Sequence, residues 1–176
     1  MTGSDILYNE IVRFKEATGR PVVAAGPPFP DEAAGVGVYD HAGLLRPDTI
    51  ASAESPVPVV LHSHGWGGSR TTDPASFAKW LKAGYGVLSF DQRGFGESGG
   101  KARVENPDYE GKDVEALVAL VSKLSWVQQD GPGDPRIGAI GGSYGGGYQF
   151  VGAFTELMKT GKTRFDALAP EITWWD

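Results

Sequence analysis

The sequence predicts an α/β protein with a mostly parallel sheet and crossover helices. Three observations carry this. From residue 57 onward, short apolar runs of strand length alternate with stretches of helical periodicity, an order that marks parallel strands joined by helices. The runs are continuously apolar and rich in β-branched residues, as strands covered on both faces are. Glycine, at 26 of 176 residues, is about twice its average usage and gathers in loops between legible elements, which argues for tight turns rather than disorder.

Taken in order, residues 1–56 read as an irregular N-terminal segment. Ile6 to Glu16 fits a short helix and Pro21 to Ala25 a short strand. Gly26-Pro27-Pro28-Phe29-Pro30 and Gly35-Val36-Gly37 interrupt any longer element. The pattern sharpens at Val57 to Ser63 (VPVVLHS), a buried strand, followed by the loop His64-Gly65-Trp66-Gly67-Gly68. Asp73-Pro74 supplies an N-cap and a proline at the first helical position. Phe77, Trp80 and Leu81 repeat at helical spacing, and Gly84 ends that helix. Gly86 to Phe90 (GVLSF) is the second strand and Asp91 to Gly100 a second glycine-rich loop. Val114, Leu117, Val118, Val121 and Leu124 form the apolar stripe of a longer helix. Gln128 to Pro135 is a turn. Ile137 to Ile140 is a third strand, a helix runs from about Gly147 to Lys159, and Phe165 to Ala169 is a fourth strand.

The length suits one domain with a real core. Lys plus Arg is 16 and Asp plus Glu is 22, a net charge of −6. That balance speaks against nucleic acid and anionic membranes as partners. With no cysteine, disulfides, thiolate metal sites and a cysteine nucleophile drop out. Met1 to Lys15 has neither the continuous apolar stretch of a leader nor that of an anchor, so the cytosol is the expected compartment.

The chemistry-bearing motif is Gly141-x-Ser143-x-Gly145. A serine between a strand and a helix, with glycines two before and two after, fits a nucleophile elbow. The small residues let the two arms of the turn approach, and the hydroxyl stands at a helix N-terminus that favours a developing oxyanion. In a chain this rich in glycine the bare pattern is weak, and Gly96-Glu97-Ser98-Gly99-Gly100 matches it too. Context favours Ser143, which follows a strand directly and opens a helix, whereas Ser98 follows a loop. A glycine-rich nucleotide-binding turn is the competing reading, but the G-x-G-x-x-G order is absent there. The loop 64–68 is placed to aim a backbone N–H at the same oxyanion, so the expected donors are the N–H groups of Trp66 and Tyr144. His64 is read as a brace for its loop rather than the general base. His62-x-His64 has no third ligand at a recognisable spacing, so no metal and no cofactor are expected.

At these residues the chain resembles the α/β-hydrolase superfamily, and within it the cocaine esterase and X-prolyl dipeptidyl peptidase (S15-like) hydrolases. The resemblance rests on VVLHSHGWGGS at 59–69, GYGVLSFDQRGFGESGG at 84–100, PRIGAIGGSYGGGYQ at 135–149 and FDALAPEITWWD at 165–176. It implies a serine hydrolase acting on a small-molecule or peptide substrate, an ester or an amide, through an acyl-enzyme. Ser143 is the implied nucleophile, and Asp91, Arg93 and Ser98 are implied structural residues of their loop.

One departure stands out. In this superfamily the triad runs serine, acid, histidine. Here His41, His62 and His64 all precede Ser143, and the chain runs only to Asp176. A serine without a base is a weak nucleophile. The expectation is therefore the N-terminal half of a hydrolase domain over residues 57–176, truncated after the strand that follows the nucleophile helix, with little activity by itself. Asp176 is a weak candidate for the acid. Trp174-Trp175 leaves two large rings uncovered, an expected surface for self-association. Two alternatives stay open: a short hydrolase-like protein that completes its site with a partner chain, and a non-catalytic binding module.

Overall fold

The computed structural model describes residues 22–25, 41–45, 51 and 53–174. The elements in chain order are β1 (Val22–Ala25), β2 (His41–Leu45), β3 (Val59–Ser63), α1 (Ala78–Lys82, led in by a 3-10 turn at Pro74–Phe77), β4 (Gly86–Phe90), α2 (Lys112–Val121, led in by a π turn at Pro107–Gly111), β5 (Gln129–Gly131), β6 (Asp134–Pro135), β7 (Ile137–Gly142), α3 (Tyr144–Thr160) and β8 (Phe165–Glu171).

Six strands form one sheet in the order β1-β2-β4-β3-β7-β8. The four strands read from the sequence are the parallel part. β3 pairs with β4 from Val59↔Gly86 to Ser63↔Phe90 and with β7 from Val59↔Ile137. β7 pairs with β8 through Gly142↔Glu171. β3 and β4 are buried because both are unbroken apolar runs: Val59, Leu61, Val87 and Phe90 are fully inaccessible. Burying each such side chain contributes about 1.5–3 kcal/mol.

Within residues 1–56 the structure adds one strand that the irregular reading did not contain, β2. β1 and β2 extend the sheet antiparallel, with β2 on β4 from Ala42↔Phe90 to Leu45↔Val87. β1 coincides with the short strand read at Pro21 to Ala25. The helix expected at Ile6 to Glu16 lies outside the described residues.

The helices follow their signals. Asp73 accepts the N–H of Ala75 at 2.9 Å and caps the 3-10 turn that leads into α1. Phe77 buries against Val87, with Trp80 and Leu81 beside it. All five residues of the α2 stripe are in the core. The turn at Gln128 to Pro135 contains a small antiparallel hairpin, β5-β6. α3 begins at Tyr144, three residues earlier than its apolar spacing suggests, because the elbow itself opens the helix. Tyr148 anchors it to the sheet, its hydroxyl lying 2.9 and 3.2 Å from the carbonyls of Leu61 and Ile140. Among the described residues no helix is long and apolar enough to cross a membrane.

The chain leaves β3 toward β4 on one side and later returns to β7 on the other. The loops after β3, β4 and β7 therefore meet at the carboxyl ends of the strands. Open α/β sheets bind their ligands at such a switch point.

Candidate active site

Ser143 sits between β7 and α3 with φ 54° and ψ −121°. A non-glycine residue rarely holds a positive φ, and the cost is about 1–3 kcal/mol. The surroundings hold it there. Its N–H donates to the carbonyl of Glu171 at 2.9 Å, and its carbonyl accepts the N–H groups of Gly146 and Gly147 at 2.8 and 3.2 Å. Ser143 is exposed although its helix is largely buried.

The two glycines of the motif are steric necessities. Gly141 has φ 148°, and a Cβ there would lie 2.8 Å from the Ser63 carbonyl oxygen. A Cβ at Gly145 would run into the same Ser63 carbonyl and lie 3.0 Å from that of His64. Both arms of the elbow thus press against the end of β3.

The loop after β3 reaches the serine. A Cβ built on Gly65 would stand 3.7 Å from that of Ser143, which places the peptide leading into Trp66 beside that serine. The Tyr144 N–H belongs to the first turn of α3, whose donors have no partner within the helix. The structure thus gathers Ser143, Trp66, Tyr144, Gly141 and Gly145 at one point. Around them lies an aromatic wall. Trp66, 61% exposed, meets Phe95 and Tyr144 edge to face at 4.9 and 5.0 Å between ring centres. Trp174 lies 6.1 Å from Tyr144. The Tyr144 hydroxyl accepts the N–H of Glu105 at 3.3 Å, and burial with the nearby Glu105 and Glu110 raises its pKa above the ordinary phenol value.

His64 is occupied elsewhere. Its Nδ1 donates to the Gly65 carbonyl at 2.8 Å and its Nε2 accepts the Gln92 N–H at 3.2 Å, which fixes the tautomer and ties two loops together. His62 Nδ1 bonds Ser89 Oγ at 3.0 Å, and burial lowers its pKa to about 4. Both nitrogens of His64 are thus engaged, and His62 is tied to Ser89 through Nδ1. Asp176 and Trp175 lie outside the described residues. Among the described residues no cluster of three side chains suited to a metal ion occurs.

Ser98, the second G-x-S-x-G serine, is buried and donates to the Asp91 carbonyl at 2.9 Å. Asp91 is inaccessible; its carboxylate pairs with Arg70 and accepts the N–H of Glu97 at 3.1 Å. Arg93 holds Asp113 through two bonds of 2.7 Å. Sequence reasoning missed Gln92, whose buried amide donates to the carbonyls of His64 and Tyr144 at 3.1 and 3.4 Å and joins the loop after β3 to the start of α3. A buried glutamine shows no periodic signal. It stood in the Asp91-Gln92-Arg93 loop with nothing to mark its partner.

An elbow serine on a strained turn, opening a helix at the carboxyl edge of this sheet, defines an α/β-hydrolase fold. The solved structure of acetyl xylan esterase 1 from Thermoanaerobacterium sp. JW/SL YS485 superposes with a TM-score of 0.58 at 19% identity, covering 96% of this chain and 58% of that one. The profile of the X-Pro dipeptidyl-peptidase (S15) family matches residues 37–176, and the chain belongs to that family. The match begins upstream of residue 57 and takes in β2. An uncharacterized 31.7 kDa Escherichia coli protein, from the traX-finO intergenic region, is 34% identical over 98 residues, 54% of this chain and 32% of that protein. The quorum-quenching protein AidA of Acinetobacter baumannii (strain MDR-ZJ06) is 32% identical over 109 residues, 61% of this chain and 33% of AidA. The chain thus spans about a third of these curated relatives.

Proposed function

We propose that this chain carries the nucleophile half of a serine hydrolase that cleaves an ester or amide through an acyl-enzyme on Ser143. The observation that carries the reading is the backbone of Ser143 itself. A serine held at φ 54° between two glycines that admit no side chain is strain of the kind kept at functional sites. Ser143 Oγ would attack the carbonyl carbon, and the N–H groups of Trp66 and Tyr144 would receive the oxyanion. Each such donor is worth about 2.7–4 kcal/mol of barrier. Family membership supports hydrolysis as the reaction class. With both nitrogens of His64 engaged and the Nδ1 of His62 bonded to Ser89, neither ring is assigned as the base that takes the Ser143 proton. That base comes from residues outside those described or from a partner chain.

The test is p-nitrophenyl ester hydrolysis by the protein made from its complete reading frame, with and without Ser143→Ala. Loss of turnover by about a thousandfold or more on substitution is the expected result. Turnover that survives the substitution overturns the assignment. A second reading, a binding module with no turnover, is favoured only if a fluorophosphonate fails to label Ser143 in that same protein.

A further inference from the structure

Along α3, beginning at Gly147 one turn past Ser143, lies a cavity of about 520 Å3. Its walls are apolar: Phe150, Phe154, Met158 and Trp174 line it, and the first two rings stack at 5.8 Å. Two polar side chains also line it, Glu105 and Thr155. Both carboxyl oxygens of Glu105 and the hydroxyl of Thr155 are buried without a hydrogen-bond partner. A buried polar group left unpaired costs free energy and calls for an explanation.

The backbone sharpens the point. Val104 and Glu105 have φ of 57° and 56°, two consecutive non-glycine residues in the left-handed region, one of them β-branched. Strain of this kind persists only where the surroundings impose it. The Glu105 side chain lines the cavity with no donor within hydrogen-bond distance of its carboxyl oxygens. Nothing nearby neutralises it. Among the described residues the ionisable groups coupled to it are Glu110, Tyr144 and Tyr148, none of them a cation. Glu110 is already held by the N–H groups of Arg103 and Asn106 at 2.6 and 2.9 Å. Burial and the Glu110 charge raise the Glu105 pKa to about 9.

We propose that this cavity, adjoining the elbow, is a binding site for a small primary amine with an apolar or aryl body. The unmet polar atoms are two carboxyl oxygens and one hydroxyl, so a cationic head with several donors satisfies them once Glu105 ionises, whereas a phosphate or carboxylate would meet the ionised carboxyl as a like charge. An ammonium gains a charge-assisted bond to Glu105 in a poorly solvated place. The stacked phenylalanines and Trp174 receive the body, and their ring faces favour a cation at its head. Because Glu105 is protonated when the cavity is unliganded at neutral pH, the bound ammonium displaces the carboxyl proton to solvent. One proton leaves for each amine bound.

Isothermal titration of the protein with 2-phenylethylamine at pH 7, in two buffers of different ionisation heat, tests this. The expected result is one site, release of about one proton per amine, and binding of the neutral 2-phenylethanol weaker by about tenfold or more. Glu105→Gln should weaken the amine by a similar factor. Absence of saturable amine binding, equal binding of the alcohol, or no proton release overturns the proposal. The proton count is read on the unsubstituted protein, so the test stands even if Glu105→Gln does not fold. The titration reads binding alone, so its outcome is independent of whether Ser143 hydrolyses an ester.

Discussion

Arg93 grips Asp113 through two bonds, Nε to Oδ2 and Nη2 to Oδ1, each 2.7 Å long, with both side chains almost wholly inaccessible. The pair ties the loop after β4 to the first turn of α2, and so fixes one wall of the site to the body of the domain. Removing one partner of a buried ion pair strands the other charge. Asp113→Ala should lower stability by about 3–5 kcal/mol. Replacing both by apolar residues of similar volume, Arg93→Met with Asp113→Leu, should recover much of that loss. Urea unfolding of the three variants checks this. Equal losses in the single and double variants would refute it.

Glu105 predicts an unusual pH profile. Its folded pKa is raised from 4.5 to about 9, so the folded protein holds a proton that the unfolded chain gives up. The sign follows: this group favours folding most below about pH 4.5, and that contribution is lost as pH rises toward 9. The slope is at most about 1.4 kcal/mol per pH unit. Glu105→Gln should flatten the profile and be more stable than the parent at pH 8. A melting series from pH 5 to 9 on both proteins reads this, and parallel curves would be the contrary result.

Ser143→Gly should raise stability by about 1 kcal/mol while abolishing any chemistry at this position. Glycine adopts positive φ without the strain that serine bears at 54°. The melting temperature is the readout. A clear drop would mean that the serine backbone is not strained.

Gly145→Ala should go the other way. The new Cβ meets the carbonyls of Ser63 and His64, which belong to a buried strand end and cannot retreat. A loss of about 1–3 kcal/mol is expected, as for overpacking elsewhere, together with displacement of the Trp66 loop. Denaturation and Trp fluorescence together check it. A variant indistinguishable from the parent in both would remove the steric argument for the motif.

The sequence by itself determined the parallel half of the sheet, the α2 stripe and the elbow, because each is written in neighbouring residues. VPVVLHS and GVLSF are strands by composition alone, the stripe from Val114 to Leu124 repeats at helical spacing, and Gly141-x-Ser143-x-Gly145 stands between a strand and a helix. Tertiary structure alone decided the rest. β2 carries no strong local signal and becomes a strand because β4 offers it an edge, and β1 in turn pairs with β2. The start of α3 was set by the strained turn rather than by apolar spacing. Gln92 joins residues up to 52 positions apart, and Arg93 finds Asp113 across 20. Glu105 is an ordinary loop glutamate in the sequence, and only burial beside α3 leaves its carboxyl without a partner. Local patterns are set by backbone geometry over a few residues. Polar pairings depend on which distant atoms the folded sheet brings within hydrogen-bond distance, and no periodicity records that.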